Sequence, residues 1–302
     1  MMQNVAKAYK AQSFNTLIIH IIFILVTLSM LLPFILVIII SITDEQSLSL
    51  SGYQLIPEKI SFSAYQYFFK APQILIRAYG VTTFVTVIGT VISLLLTATL
   101  GYAISRRDYG YNRILTFFIF FTMLFNGGLV PFYILMTQWL HLGDTIFALI
   151  VPGLINPFYI LIMKGFMSKI PMEIIESAKI DGAREWRIFY RIILPLSMPA
   201  LATLGLFISF AYWNEWFNGL LFINNERLVP LQLLLIRSLK TLDFITSRPE
   251  FSASVISLDM SQFPQKAAKF AIAIIAGGPM LVIFPFFQRF FIKGLTVGAL
   301  KG

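Results

Sequence analysis

Five consecutive residues carry the kinds of side chain that bind carbohydrates in proteins: Tyr212, Trp213, Asn214, Glu215 and Trp216. Aromatic rings pack against the apolar faces of pyranose rings, and amide and carboxylate groups hydrogen-bond to sugar hydroxyls. A second interpretation fits equally, because Trp and Tyr also collect where a membrane-spanning helix meets the water interface. The segment is therefore a candidate substrate pathway, with an interfacial aromatic belt as the alternative.

Catalytic chemistry has little support in the sequence. The chain contains no cysteine, which excludes a disulfide, a thiolate nucleophile and a Cys-based metal site, and its two histidines, His20 and His141, lie far apart. It also lacks the GxxxxGK[ST], HExxH and GxSxG patterns. We expect no catalytic residue, no metal site and no cofactor in this chain.

The elements that position these residues are membrane spans. With 58% hydrophobic and 12% charged residues, the 302-residue chain has more apolar surface than one water-soluble core could bury. A spanning helix needs about 20 mostly apolar residues. Long apolar runs predict an all-α polytopic membrane protein with six transmembrane helices, at 17–41, 80–104, 114–137, 145–167, 198–222 and 270–291.

Charge predicts the orientation of these spans. Six spans place both termini on one side, and a cytoplasmic amino terminus puts 14 of the 23 Lys and Arg residues inside. The net charge of +9 then lies on the cytoplasmic side, as the positive-inside rule requires. The basic balance therefore does not call for nucleic acid as a partner.

Glycine, proline and asparagine predict irregular spans. Residues 126–128 interrupt the third span and predict either a bend or, as the favoured alternative, a close helix contact. Residues 152–157 predict a break in the fourth span and 277–279 a break in the sixth. Between the last two spans, residues 223–269 form an extracellular loop region. Its run Leu231–Leu242 is too short to span, and we predict either a re-entrant or interfacial helix or a helix buried against the others.

The cytoplasmic loop at 164–197 has the clearest local pattern. Residues 172–180 are good helix formers, and Gly182 suits a helix end because it adopts left-handed backbone angles. A second helix is predicted from Ala183 towards Ile193, ending before Pro195. In it, Ala183, Trp186, Tyr190 and Ile193 recur at helical spacing as one apolar stripe, which either contacts a partner or packs on the chain itself.

The same loop resembles the EAA loop of ABC-importer permeases. The family pattern is Glu-Ala-Ala, three residues, Gly, nine residues, Ile, any residue, then Leu-Pro. The corresponding positions are Glu176, Ser177, Ala178, Gly182, Ile192, Leu194 and Pro195. Ser177 is the one departure, and it replaces one small residue with another. In that family the loop docks in a groove of the ATPase subunit, so the resemblance gives these residues and Asp181 a role in ATPase coupling.

The resemblance covers nearly the whole chain and is strongest with MalG-like carbohydrate permeases of the LplC and YtcP type. Supporting stretches lie at 125–133 (FNGGLVPFY), 211–220 (AYWNEWFNGL) and 289–302 (RFFIKGLTVGALKG). It implies a single transmembrane permease domain over 1–302 in a bacterial inner (cytoplasmic) membrane, and a tail, Lys293–Gly302, that makes a second ATPase contact. The implied partners are a second homologous permease, an extracellular sugar-binding protein and two ATPase subunits, which bind ATP and Mg. The alternative is a secondary transporter that works without an ATPase.

Overall fold

The computed structural model of the chain describes residues 2–70, 72–247, 264 and 266–281. Within these residues the backbone is helical, apart from turns, loops and one isolated bridge between Thr43 and Ile60. Helices predominate because a backbone in lipid must satisfy its own hydrogen bonds. The predicted all-α class is confirmed.

The chain divides into two compact units, and the first comprises Met1–Lys70 and Leu239–Gly277. Its helices are α1 (Met2–Ser41), α2 (Glu45–Leu50) and α3 (Ser63–Phe68), together with part of a helix over 266–281. Glu45 accepts hydrogen bonds from the backbone N–H groups of Lys266 (3.0 Å) and Ala267 (3.2 Å), and so satisfies the first turn of that last helix.

In α1, the apolar run Thr16–Ser41 contains an 18-residue window with a mean hydropathy of 3.0, and none of the residues in that window is buried. Lipid or a partner helix must cover it.

The second unit comprises Ala71–Ser238 and Gly278–Gly302, and it holds the candidate sites. Its helices in chain order are α4 (Pro72–Ser105), α5 (Asn112–Leu124), α6 (Leu129–Ile134), α7 (Phe147–Ile150), α8 (Pro157–Met167), α9 (Met172–Ile180), α10 (Glu185–Ile188), α11 (Leu194–Leu196), α12 (Met198–Trp213), α13 (Phe217–Phe222) and α14 (Leu231–Ser247), the last of which continues into the first unit. Wide π turns follow α6 and α10, at Leu135–Trp139 and Phe189–Ile193.

The described residues contain two continuous helices long and apolar enough to span a membrane, Thr16–Ser41 and Pro72–Ser105. Three bent helix pairs raise this number to five if each pair is one span. These regions overlap the first five predicted spans, although α4 begins eight residues before the predicted boundary at 80. The sixth prediction, 270–291, lies partly outside the described residues.

The bends occur at the predicted breaks in the third and fourth spans. Between Asn112–Leu124 and Leu129–Trp139 the axis turns by 113°, and Gly128 there has a φ of +89°. Between Phe147–Gly153 and Pro157–Met167 it turns by 47°, where Asn156 accepts a hydrogen bond from Phe158 N (3.0 Å) and so caps α8.

Two predictions about span continuity were wrong. The fifth span does not run unbroken over 198–222, because α12 ends at Trp213 and α13 begins only at Phe217. Conversely, residues 277–279 do not break the last helix, which is continuous over 266–281. Neighbouring helices supply packing that local sequence signals do not contain.

The core of the second unit forms where α4 packs against α12 and α8. The ring of Tyr212 fills the space beside two glycines, since a Cβ added at Gly89 would lie 2.5 Å from its Cζ and one at Gly153 would lie 2.9 Å from it. The Tyr212 hydroxyl donates to the carbonyl of Ile150 (2.8 Å). Close approach at small residues is a common way for membrane helices to pack.

A stripe of hydroxyl side chains runs along α4 at helical spacing. The hydroxyl of Thr82 has a hydrogen-bond partner: its Oγ1 accepts from Leu231 N (2.8 Å) at the start of α14. Four further hydroxyls are buried without a hydrogen-bond partner in the described part of the chain, and they belong to Thr86, Thr90, Ser93 and Thr97. The hydrogen bond between Thr82 and Leu231 also bears on the prediction for Leu231–Leu242. The first turns of that helix are buried against the other helices, because Leu231, Leu233 and Leu235 are buried.

Candidate functional site

The first helix of the coupling loop, as we name residues 164–197, is α9, and its bounds agree with the prediction. It ends in a Schellman turn: Gly182 N bonds to Lys179 O (3.0 Å) and Ala183 N bonds to Ala178 O (2.9 Å). Gly182 has the left-handed φ of +76° that this turn requires. The sharp reversal between the two loop helices is therefore fixed by backbone hydrogen bonds.

The second loop helix departs from the prediction at both ends. It begins at Glu185 rather than Ala183, and it does not stop before Pro195. A π turn at Phe189–Ile193 bonds Leu194 N to Phe189 O, after which α11 runs through Pro195. A proline ring would clash with the carbonyl four residues back in a regular helix, and the wider turn relieves that clash.

The predicted apolar stripe divides between two faces. Ile193 is buried with Ile188 and Phe189 in the core of the second unit. Trp186 and Tyr190 instead stack on each other at 5.8 Å on the outer face, with 65% and 53% of their surface exposed. The loop thus has one face attached to the spans and an aromatic face that the chain leaves uncovered.

The residues of the EAA-like pattern follow this division. Ala178 is buried, and Ile192 and Leu194 pack partly buried against the core. The remaining members are exposed: Glu176, Ser177, Asp181, Gly182 and Pro195. The pattern therefore combines positions that hold the loop in place with positions that a partner can reach.

A cluster of charged side chains, the anchor cluster, joins the coupling loop to the end of α4. Its centre is Arg106, whose side chain is only 6% exposed. Arg106 holds Asp108 through two parallel hydrogen bonds, Nε to Oδ1 (2.7 Å) and Nη2 to Oδ2, and it also contacts Glu185 Oε2 from Nη1 (3.3 Å). Lys179 bridges the same two carboxylates, at 3.0 Å to Asp108 and 3.1 Å to Glu185. Tyr102 Oη completes the cluster by donating to Glu185 Oε2 (3.0 Å).

These contacts favour the charged form of every ionisable member outside the span. The double hydrogen bond from Arg106 lowers the pKa of Asp108 well below its usual range, and raises that of Arg106 in turn. Burial opposes ionisation of Glu185, but hydrogen bonds from Lys179 and Tyr102 outweigh it and lower its pKa. The hydrogen bonds to Asp108 and then Glu185 raise the pKa of Lys179. At neutral pH the cluster is fully charged.

The candidate pathway residues do not form one continuous surface. Tyr212 and Trp213 are buried, whereas Asn214 and Trp216 are exposed. Glu215 is half-buried, and its Oε1 accepts a hydrogen bond from Asn218 N (2.8 Å) at the start of α13. The carboxylate thus has a partner within the chain.

A cavity of about 110 Å³ lies beside these residues in the second unit. Tyr212 and Glu215 line it together with Asn156, Tyr159 and Asn218. The break before α8 brings Asn156 to the wall, and the break after α12 brings Glu215 there. The cavity offers hydroxyl, amide and carboxylate groups, which are the hydrogen-bonding groups of a sugar site.

Sequence reasoning missed the anchor cluster and three of the cavity residues. Arg106 and Glu185 are 79 positions apart, so no local pattern connects them. The available signal was the pair Arg106 and Asp108, two residues apart directly after a long apolar run. Asn156 was noted only as a helix breaker, although a polar residue beside a break is a signal for a cavity wall.

Comparisons with known proteins identify the family of the chain. A family model for binding-protein-dependent transport system inner membrane components matches residues 93–297. The chain is 38% identical to protein LplC of Bacillus subtilis (strain 168) over 272 residues, which is 90% of each chain. It is 38% identical to the polygalacturonan/rhamnogalacturonan transport system permease protein YtcP of the same organism over 271 residues, 90% of this chain and 92% of that one.

A solved structure is also similar: a chain of a bacterial ABC transporter involved in the import of the acidic polysaccharide alginate. It is 27% identical to this chain, with a TM-score of 0.78, and the match covers 93% of this chain and 98% of that one.

Proposed function

This chain belongs to the family of binding-protein-dependent transport system inner membrane components, and from that premise we propose that it is a permease subunit of an ABC importer for oligosaccharides. Separate ATPase subunits drive its alternating access through the coupling loop. The observation that carries the proposal is the coupling loop itself, a helix pair with one buried and one exposed face. The anchor cluster fixes both helices of the loop to the end of α4.

The geometry suits a part that transmits force. The Schellman turn at Gly182 and the ion pairs of the anchor cluster resist deformation of the loop, so a push on its outer face is passed to α4 and α12. The exposed stacked rings of Trp186 and Tyr190 offer a partner a large apolar contact. Two exposed carboxylates accompany them, Glu176 within α9 and Asp181 at the turn. A helix laid in a groove is a recurrent mode of recognition.

An oligosaccharide is the cargo that the names of the relatives favour. YtcP is named for polygalacturonan and rhamnogalacturonan transport, and AraQ of Halalkalibacterium halodurans (strain ATCC BAA-125 / DSM 18197 / FERM 7344 / JCM 9153 / C-125), 28% identical over 279 residues, for arabinooligosaccharides. The cavity beside Tyr212 and Glu215 supplies hydrogen-bonding groups for hydroxyls. Tyr212 also holds α12 against α4, so its ring transmits helix movement to the cavity wall.

The complete assembly that we propose contains a second homologous permease, two ATPase subunits that bind ATP and Mg, and an extracellular sugar-binding protein. Both termini and the coupling loop face the cytoplasm, as the distribution of basic residues supports. The tail Lys293–Gly302, proposed as a second ATPase contact, lies outside the described residues.

ATP-dependent uptake of radiolabelled oligosaccharides in cells that express the whole assembly tests this proposal. The variants Glu176→Lys and Gly182→Asp should abolish most uptake and weaken co-purification with the ATPase, while membrane abundance stays normal. The control Glu226→Lys reverses an exposed carboxylate outside the coupling loop and should leave ATPase co-purification unchanged. Sugar uptake by the reconstituted chain without any ATPase would instead establish a secondary transporter.

A further inference from the structure

A basic cleft lies at the start of α5, beside the end of α8. Its cationic lining is Arg107, Arg113 and Lys164, and its volume is about 690 Å³. The cleft is shallow and largely open, so a bound group would lie against its wall rather than be enclosed. Neither the coupling surface nor the cavity beside Glu215 includes Arg107 or Arg113.

The positive charge of the basic cleft is not neutralised within the described part of the chain. No carboxylate is among its lining residues, and neither Arg107 nor Arg113 forms an ion pair with any described residue. Asp108, the neighbour of Arg107 in sequence, forms its ion pairs with Arg106 and Lys179 instead. An anion would therefore meet little competition there.

Two further features make the cleft suited to phosphate. The 13-residue helix α5 begins at Asn112, a lining residue, so the partial positive charge of its amino-terminal end adds to that of the arginines. Lys164 is half-buried and already oriented, because its Nζ donates to Thr116 Oγ1 (3.0 Å) on α5. This contact also ties α5 to α8 and gives the cleft a defined back wall.

The apolar part of the cleft points to a lipid. Phe117 and Phe120, one and two turns further along α5, line it and are 61% and 50% exposed. A cationic end next to an exposed apolar wall matches a molecule with a charged head and a hydrocarbon chain. Basic pockets between spans bind anionic headgroups in this way.

We propose that the basic cleft is a binding site for an anionic phospholipid, with its phosphate between Arg107, Arg113 and the start of α5. Its acyl chain lies along Phe117 and Phe120. The site requires only that α5 lies in the membrane with its first turn at the headgroup level, so it holds whether or not the cargo is a sugar. Because Lys164 begins the coupling loop, a bound lipid also braces the α5–α8 contact from which that loop starts.

The test is lipid retention by the full-length chain in the membrane complex with which it co-purifies. The complex is reconstituted in phosphatidylcholine with a minor fraction of phosphatidylglycerol, washed in detergent, and its retained lipids are quantified by mass spectrometry. The double variant Arg107→Gln/Arg113→Gln removes the charge, and Arg107→Lys/Arg113→Lys keeps it. The matched control Lys70→Gln/Arg77→Gln removes two exposed charges near the opposite end of α4.

The native chain and the control should retain phosphatidylglycerol in excess over its share of the bilayer. The Gln variant should lose at least about fivefold of this enrichment, because each basic side chain near an anionic surface contributes about that factor. The Lys variant should keep most of it, which shows that the Gln result is not a failure to fold. Equal enrichment in the native and Gln proteins, or an equal loss in the control, would overturn the proposal. Complete displacement by millimolar inorganic phosphate would also overturn it and identify a free-phosphate site.

Discussion

The substitution Gly182→Ala should weaken ATPase coupling through backbone strain alone. Gly182 has a φ of +76°, where an L-residue costs about 1–2 kcal/mol relative to glycine. A Cβ added there would meet nothing within 4 Å, so steric overlap contributes nothing further. Since 1.4 kcal/mol corresponds to a factor of ten, the loop conformation that the ATPase binds should lose up to about 5–30-fold in relative population.

The assay is the dissociation constant of the purified membrane complex for its ATPase subunits, measured together with ATP-dependent uptake. Gly182→Asn should bind better than Gly182→Ala, because Asn tolerates left-handed angles. Gly52→Ala is a matched control, since Gly52 has a φ of +73° and equally open surroundings but lies outside the coupling loop. Native affinity for Gly182→Ala, or the same loss for Gly52→Ala, would show that the turn does not control docking.

Three further outcomes follow from the second unit. Replacing Glu185 with Gln removes its two ion pairs in the anchor cluster. The attachment of the loop should lose about 1 kcal/mol of stability, because partly exposed pairs contribute about 0.2–1 kcal/mol each. Hydrogen exchange in α9 should therefore accelerate about fivefold. Gly89→Ala places a Cβ 2.5 Å from the ring of Tyr212 and should cost about 1–3 kcal/mol in thermal unfolding, whereas Gly80→Ala, with open space at its Cβ, should be tolerated. The pKa of Asp108 is lowered in the folded chain, so its pairing stabilises the fold at any pH above the unfolded pKa of about 3.9. This stabilisation is lost as the pH falls below that value towards the lower pKa of the folded chain. The protection of the loop amides against hydrogen exchange, corrected for intrinsic exchange, should therefore be constant from about pH 5 to 8, and a fall within that range would contradict this assignment.

The structure follows the sequence most closely where the signals are local. The bounds of α9 and the left-handed Gly182 were predicted because helix propensity and the C-terminal turn act within a few residues. The break at Asn156 was predicted for the same reason, whereas the bend at Gly128 was the less favoured of the two alternatives for residues 126–128. Each of these features depends on neighbours in the chain rather than on tertiary packing.

The predictions that failed depend on packing between distant segments. The sequence places Trp186 and Ile193 on one stripe, but the π turn between them rotates Ile193 into the core and leaves Trp186 outside. The anchor cluster was not predicted, because Arg106 acquires its partners only when α9 and α10 fold back onto α4. The roles of the coupling residues and of the candidate pathway residues stay predictions.

The hydroxyl stripe on α4 affects how easily the helices around it can be rearranged. Interlocked polar pairs must break before two helices slide, and each broken pair in an apolar medium costs free energy. Thr86, Thr90, Ser93 and Thr97 have no such pairs to lose within the described part of the chain. Each hydroxyl can rotate to the carbonyl oxygen of the preceding turn on its own helix, so the register of α4 is set by apolar packing, such as the ring of Tyr212 beside Gly89, rather than by these hydroxyls. A movement of α4 along its neighbours therefore breaks apolar contacts but no hydrogen bond between these four side chains and another described helix.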